Sequence, residues 1–447
     1  MKKAELAKEL GVWDAFLLSV GGMIGGAIFV LGAQTAMIAG PSAILAWALA
    51  GLLMFFIALV LVEQATAFPR AGAIPAYAME TFGKSFAVRS FASFIGGWGS
   101  LIGQWFGVPF SAMYVGGYVV SIVPALAGYE TVITLLVLTF AFLLNLSGIS
   151  ITGKANAVLT ALLIILMLAF FFRGVPAVNL SNYSPFFATG GLTFLQAIPI
   201  AALGYGAWLS ILAAAEEIKE PQKTLPKAIG LSILVTTVLY LLILFPLYGT
   251  VNWQEFNPNN PFAFWAPLSY SAVKFAPGES WVQLAISLAA ILALITTVIA
   301  LMVLASRVIY GMGKIGIFPS QCSYVWPRTR VPAVSLIIVY VVSMILGANP
   351  NWVNAIIIIG TVMYAIGFLV GILSHIGLRI NRKDVKPPFR VPGGIVFSVI
   401  AFIALALLLV NVSTLEIWYS LLAVAVGVVY FIVRYASKTG VFAKHPS

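Results

Sequence analysis

Charge is what this sequence has least of. Only 8% of its 447 residues are Asp, Glu, Lys or Arg, against 62% that are hydrophobic. A soluble domain of that length needs far more charged surface, so a water-soluble globular class is excluded. Cysteine occurs once, at Cys322, which rules out an intrachain disulfide. The two histidines, His375 and His445, are too few and too scattered to build a Cys/His metal cluster. No G-x-x-x-x-G-K-[ST] stretch is present, so ATP hydrolysis would need a partner. A nucleophile–base set is missing as well, which argues against an intramembrane enzyme.

Long apolar runs fill the chain instead, at roughly 17–25 residues each, enough to cross a bilayer core of about 30 Å. Twelve can be read: about 13–38, 42–67, 90–122, 131–147, 155–172, 194–215, 228–248, 281–305, 331–347, 352–378, 394–411 and 415–433. They predict an all-α polytopic membrane protein with 12 transmembrane helices in a single transporter domain, 1–447. The start, "MKKAELAKEL", has the charge of a signal peptide. The apolar run behind it is too long and lacks a small-residue cleavage site, so it reads as the first helix.

The net charge of +11 does not point to nucleic acid. With the N-terminus inside, nearly every Lys and Arg falls in a cytoplasmic loop, Lys154 and Arg307 among them, and only Arg173 and Lys274 fall outside. That bias predicts a cell-membrane protein with both termini in the cytoplasm and lipid as its surroundings.

The first run carries "VGGMIGGAIF", with Gly21, Gly22, Gly25 and Gly26 near its middle. Backbone that leaves the helix in lipid must be hidden in protein or in a watery cavity. The glycines therefore either let another helix approach closely, as G-x-x-x-G pairs do, or mark where this helix breaks. Gly99, Gly103 and Gly107 in the third run read as packing. The sixth run, "AIPIAALGYGAWLSILAAAEEIKEP", is interrupted in the same way by Pro199, Gly204 and Gly206. Each interruption heads a block of five helices, 13–172 and 194–378, and an odd number inverts the second block; 394–433 lies outside both. Matched interruptions in inverted halves point to a transporter's midplane site, where half-helix N–H groups face an anion such as a carboxylate.

Five ordered motifs then resemble one family. They are "GGMIGGAIF" in the first helix, "VEQATAFPRAGAIPAYA" after the second and "AAAEEIKEPQKTLPKAI" after the sixth. "ASRVIYGMGKIGIFP" near the eighth and "KPPFRVPGG" after the tenth complete the set. Together they are similar to the signatures of the amino acid–polyamine–organocation transporter superfamily. The resemblance implies a LeuT-like fold, alternating access, and an amino acid or related amine as substrate. Carried over by position, the carboxylate meets the backbone of Gly22, Met23, Ile24, Gly25 and Gly26. The amino group meets carbonyls around Ala202, Leu203, Gly204, Tyr205 and Gly206. Tyr205 and Trp208 flank the site, Tyr205 near the family's aromatic gate.

Departures from the family pattern narrow the reading. The glutamate common in the sixth helix is replaced within "YGAWL" by apolar residues. This favours a neutral substrate over arginine, lysine or a polyamine, because intramembrane charges are kept for function. Counting from Lys154, the lysine that many relatives carry in the fifth helix is Leu163 here, which removes that form of proton coupling. Thr296 and Thr297 match paired hydroxyls that join first-helix carbonyls around sodium in coupled relatives. The plainer reading is that they bond back to their own helix.

Other polar residues carry two readings each. Glu63 in the second helix either titrates during the cycle or bonds to neighbouring backbone. Glu216, Glu217 and Lys219 are solvated charges or an inner gate. Gln104, beside Trp105 in the third helix, bridges helices or faces the cavity. His375 reads as a packing residue, and loop 250–280 as an aromatic external cap. The expectation is a secondary active transporter of neutral amino acids that needs no cofactor, with sodium, proton or exchange coupling and oligomeric state left open. The rivals are an uncoupled facilitator or exchanger of amino acids or polyamines, and a membrane nutrient sensor that binds without transport.

Overall fold

The computed structural model describes residues 5–407, 409 and 414–436. The predicted helix end at 408 and 410–411, and Lys2, Lys3, Lys438, Lys444 and His445, lie outside the described residues. The first half of the chain forms α1 (Val12–Ala39), α2 (Ala43–Ala67), α3 (Ile74–Thr81), α4 (Phe86–Trp105), α5 (Gly107–Ile122), α6 (Glu130–Leu146) and α7 (Ile149–Gly174). The second forms α8 (Phe194–Leu203), α9 (Leu209–Ala213), α10 (Pro221–Thr250), α11 (Pro261–Trp265), α12 (Pro267–Phe275), α13 (Ser280–Lys314), α14 (Ala333–Gly347), α15 (Val353–Asn381), α16 (Ile395–Leu407) and α17 (Thr414–Ala436). Among the described residues there is no strand, only an isolated parallel bridge between Leu10 and Ile218.

Among the described residues, seven helical stretches are long and apolar enough to cross a membrane. Three shorter apolar helices, α6, α14 and α16, accompany them. Such a helix satisfies its backbone internally, as lipid demands. Prolines mark several starts: Pro75, Pro221 and Pro267 sit in first turns, where the missing N–H costs nothing. Between α6 and α7 the chain reverses at Gly148, whose φ of 117° suits glycine.

The third run carries a one-residue irregularity at Phe106, which keeps helical φ and ψ of −61° and −22° and donates to the Ile102 carbonyl at 3.4 Å, so that α4 and α5 continue one into the other. Two expectations shift. Loop 250–280 contains two short helices, α11 and α12. The eighth helix does not stop at 305, since α13 continues to Lys314 and carries Arg307 into the protein interior.

Helix α1 is the axis of the fold, packing against α7, α8, α10 and α13. Helices α4 and α15 form a second tight pair. A Cβ on Gly99 would lie 2.7 Å from the Gly367 amide nitrogen, and one on Gly103 would lie 2.4 Å from that of Tyr364. These glycines bring two backbones together, as small residues do where lipid supplies no hydrophobic drive.

Candidate functional site

Of the two readings of the glycine run, a break in α1 does occur, and it falls at Gly25, whose φ of 13° and ψ of −157° are not helical. Its neighbours serve close approach. A Cβ on Gly21 would lie 2.0 Å from Thr160 Oγ1, and one on Gly22 would lie 2.8 Å from the Ala207 and Ala300 methyls. The two readings of the glycine run are therefore both realised, breakage at one residue and packing around it. The partner interruption also forms: α8 ends at Leu203, and α9 resumes only at Leu209.

Helix α13 braces α1 at Gly21 and Gly22, before the break. Thr296 Oγ1 donates to the Gly21 carbonyl at 2.9 Å, and Thr297 Oγ1 to the Gly22 carbonyl at 2.9 Å. Each also reaches the Ala293 carbonyl of its own helix, at 2.8 and 3.1 Å. The oxygen atoms are of the hard type a sodium ion takes. They are already closed on one another as hydrogen bonds, so an ion there would have to open both pairs. On α7, the residues facing Gly21 are Asn156 and Thr160; Leu163 lies one turn beyond Thr160 and is buried.

Tyr240 of α10 joins the two breaks. Its hydroxyl is within reach of the Met23 carbonyl and, at 2.8 Å, of the Gly204 carbonyl, so one phenolic proton serves both. The Trp47 and Tyr205 rings hold it in place, with centroids 4.7 and 5.2 Å away.

Beside the breaks lies a cavity of about 280 Å³ that runs along the C-terminal half of α1 as far as Gln34. Among the predicted residues, Gly22, Met23, Gly25, Gly26, Leu203, Gln104 and Thr297 line it. Ile24, Ala202, Gly204, Tyr205, Gly206 and Trp208 do not. The Tyr205 hydroxyl turns away and donates to the Trp47 carbonyl at 3.0 Å, while Trp208 stacks on Phe368 with centroids 5.6 Å apart. Gly206 sits under Gln104 and Tyr364: a Cβ there would lie 2.6 Å from Gln104 Nε2 and 2.8 Å from the Tyr364 hydroxyl. Phe106, Phe110, Leu301 and Ile356 give the rest of the wall an apolar character, and no described lining residue carries a charge.

The end of the bundle before α1 is solid. Arg307 forms a two-pronged ion pair with Glu217, at 2.8 and 2.9 Å, both side chains 0% exposed. Glu216 instead pairs with the exposed Lys314 at 2.9 Å. The Leu10 amide donates to the Glu217 carbonyl at 3.0 Å, which straps the N-terminal segment over this end. Lys154 is exposed near the start of α7.

Glu63 is fully buried and accepts from the Val391 amide at 2.8 Å and from Arg379 at 2.6 Å. His375 Nε2 lies 3.1 Å from the same oxygen, and its Nδ1 pairs with the Ser398 hydroxyl at 2.7 Å. The carboxylate thus ties α2 to α15 and to the loop before α16.

Sequence reasoning missed Tyr240, Arg307, Arg379 and Tyr364 as site or support residues. Tyr240 had one visible signal, a lone phenol inside the aliphatic run "TTVLYLLILF". Arg307 had one as well, its place in the motif "ASRVIYGMGKIGIFP", although the apolar run ends before it.

A chain of apolar helices with two of them broken around an uncharged internal cavity is a multi-pass membrane protein built to hold a small solute. The amino acid permease family matches residues 10–433, and the chain belongs to that family. It is a transporter of amino acids and not an enzyme. It is 28% identical to a branched-chain amino acid permease of Bacillus subtilis over 96% of this chain and 93% of that one. It is 26% identical to a methylthioribose transporter of the same species over 88% of this chain and 85% of that one. A glutamate/serine transporter of that species is 28% identical over 91% of this chain and 77% of its own.

Proposed function

We propose that this permease is a secondary transporter of uncharged amino acids, working by alternating access across the cytoplasmic membrane. The uncharged cavity beside the break at Gly25 carries the reading. A half-helix that starts after Gly25 has free N–H groups and a positive dipole end, which suit a carboxylate. At the end of α8, the backbone carbonyl of Leu203, a residue that lines the cavity, suits the ammonium group. The side chain then meets apolar wall, with no carboxylate for a cationic side chain or guanidinium for an acidic one. Among the relatives, this favours the branched-chain type of substrate over glutamate.

In this reading the chain has twelve membrane helices in two inverted five-helix blocks plus two. Its N-terminus is cytoplasmic, following the Lys and Arg distribution. The cavity then faces outward, and Glu217–Arg307 is the inner gate that must part for release. A ligand shifts such an equilibrium only by its preference for one state, so the substrate must be gripped differently once the gate opens.

Uptake of labelled amino acids into proteoliposomes tests this. It would be run with no gradient, with inward sodium, with inward protons and after preloading with unlabelled substrate. Saturable uptake of neutral amino acids is expected, with lysine, glutamate and putrescine failing to compete at tenfold excess. Accumulation driven by sodium alone makes Thr296 and Thr297 the ion site, and stimulation by preloading alone makes this an exchanger. Saturable binding with no flux under any condition would overturn transport in favour of a sensor.

A further inference from the structure

Six glycines line the cavity: Gly22, Gly25, Gly26, Gly103, Gly107 and Gly360. Packing accounts for five of them. A Cβ would come within 2.8 Å of a neighbour at Gly22, 1.8 Å at Gly25, 2.4 Å at Gly26 and Gly103, and 2.6 Å at Gly107. Gly360 is different. It is buried, yet among the described atoms the nearest to its Cβ would be the Gly103 carbonyl oxygen at 3.7 Å, an ordinary contact. Its φ is not in the left-handed region either, for it lies within α15 and is absent from the positive-φ glycines. Among the described atoms, neither close approach nor backbone conformation calls for glycine there. A buried residue that lines the cavity and has room for a side chain can place that side chain only in the cavity.

We infer that Gly360 is a specificity-determining residue: its missing side chain leaves the space that admits the larger aliphatic side chains among the substrates. The inference rests on the amino acid reading above. Ile356 and Tyr364, one turn to either side on α15, line the cavity with Gly360 and bound that space. Leu301 closes it from α13. The substrate's carboxylate and ammonium lie at the α1 and α8 breaks, so its side chain extends toward α15. A methyl group at 360 occupies the far end of that pocket and leaves the backbone-binding end untouched. A hydrophobic pocket discriminates one methylene by about 10- to 200-fold.

The test compares wild type, Gly360→Ala and Gly360→Val in proteoliposomes, with the uptake of leucine, valine and alanine measured side by side on each preparation. The readout is the leucine-to-alanine ratio of uptake efficiency, which does not depend on how much protein is active. Gly360→Ala should lower that ratio roughly tenfold or more. Gly360→Val should extend the loss to valine. An unchanged ratio in Gly360→Ala, with uptake intact or uniformly reduced, overturns the inference. If Gly360→Val does not fold, Gly360→Ser is a small replacement that should exclude leucine as Gly360→Ala does. Failure of wild type to move or bind any amino acid would instead bring down the transport reading itself.

Discussion

Gly25 concentrates two demands in one residue. The chain leaves the helix there, and the α13 hydroxyl of Thr297 sits where a side chain would be, 1.8 Å from its Cβ position. Gly25→Ala should therefore lower stability by at least about 1–3 kcal/mol, the usual cost of overpacking. It should also abolish uptake. Thr297→Ala in the same chain removes the hydroxyl and should recover part of the stability. The check is thermal unfolding in detergent of the single and double variants; equal midpoints would show that the clash with Thr297 is not the cause. Gly21 and Gly22 look the same as Gly25 in the sequence, yet they keep helical backbone and serve contact with Thr160, Ala207 and Ala300. A G-x-x-x-G run says that something comes close, and the neighbours decide which glycine breaks.

At the scale of elements, α13 decides most. Its central threonines hold α1, and its last turns carry Arg307 onto Glu217 with neither side chain exposed. A buried pair is costly to break from one side, because the survivor is left as an unpaired charge. Arg307→Met alone should lower stability by about 3–5 kcal/mol, and adding Glu217→Leu should restore most of it. Unfolding midpoints of the two singles and the double make a cycle that measures the coupling. Purely additive losses would mean that the two charges do not depend on one another. The sequence placed Arg307 among loop cations because its apolar run ends at 305. The helix continues because Glu217 on the segment after α9 neutralises the charge, and that contact spans 90 residues.

For the whole molecule, the open question is which end faces the cytoplasm. Cys322 is the only cysteine and is buried, so a single introduced cysteine gives a clean readout. Asn259→Cys, in the loop before α11, should react with a membrane-impermeant maleimide on intact cells. Gln222→Cys, at the start of α10, should react only after the cells are opened. The reverse pattern would invert the topology and turn the cavity toward the cytoplasm. Both positions are exposed on the described surface, so access is limited by the membrane alone.

The sequence by itself determined the helical membrane class, most helix positions and the stretches within which the first and sixth runs are interrupted. Those features follow from composition and from local backbone freedom: lipid forces helices, and glycine and proline interrupt them. The family membership was legible for the same reason, since its motifs are short and contiguous. Only the tertiary structure decided which side chains meet. Tyr205 and Trp208 sit beside a break yet turn away from the cavity. Tyr240, from a helix read as plain apolar, pins both breaks. Glu63, read as either titrating or bonding to backbone, accepts from the Val391 amide and also gathers His375 and Arg379 from the far end of the chain. The rotation of a half-helix about its axis is not set by its own residues, but by what packs against it on every side.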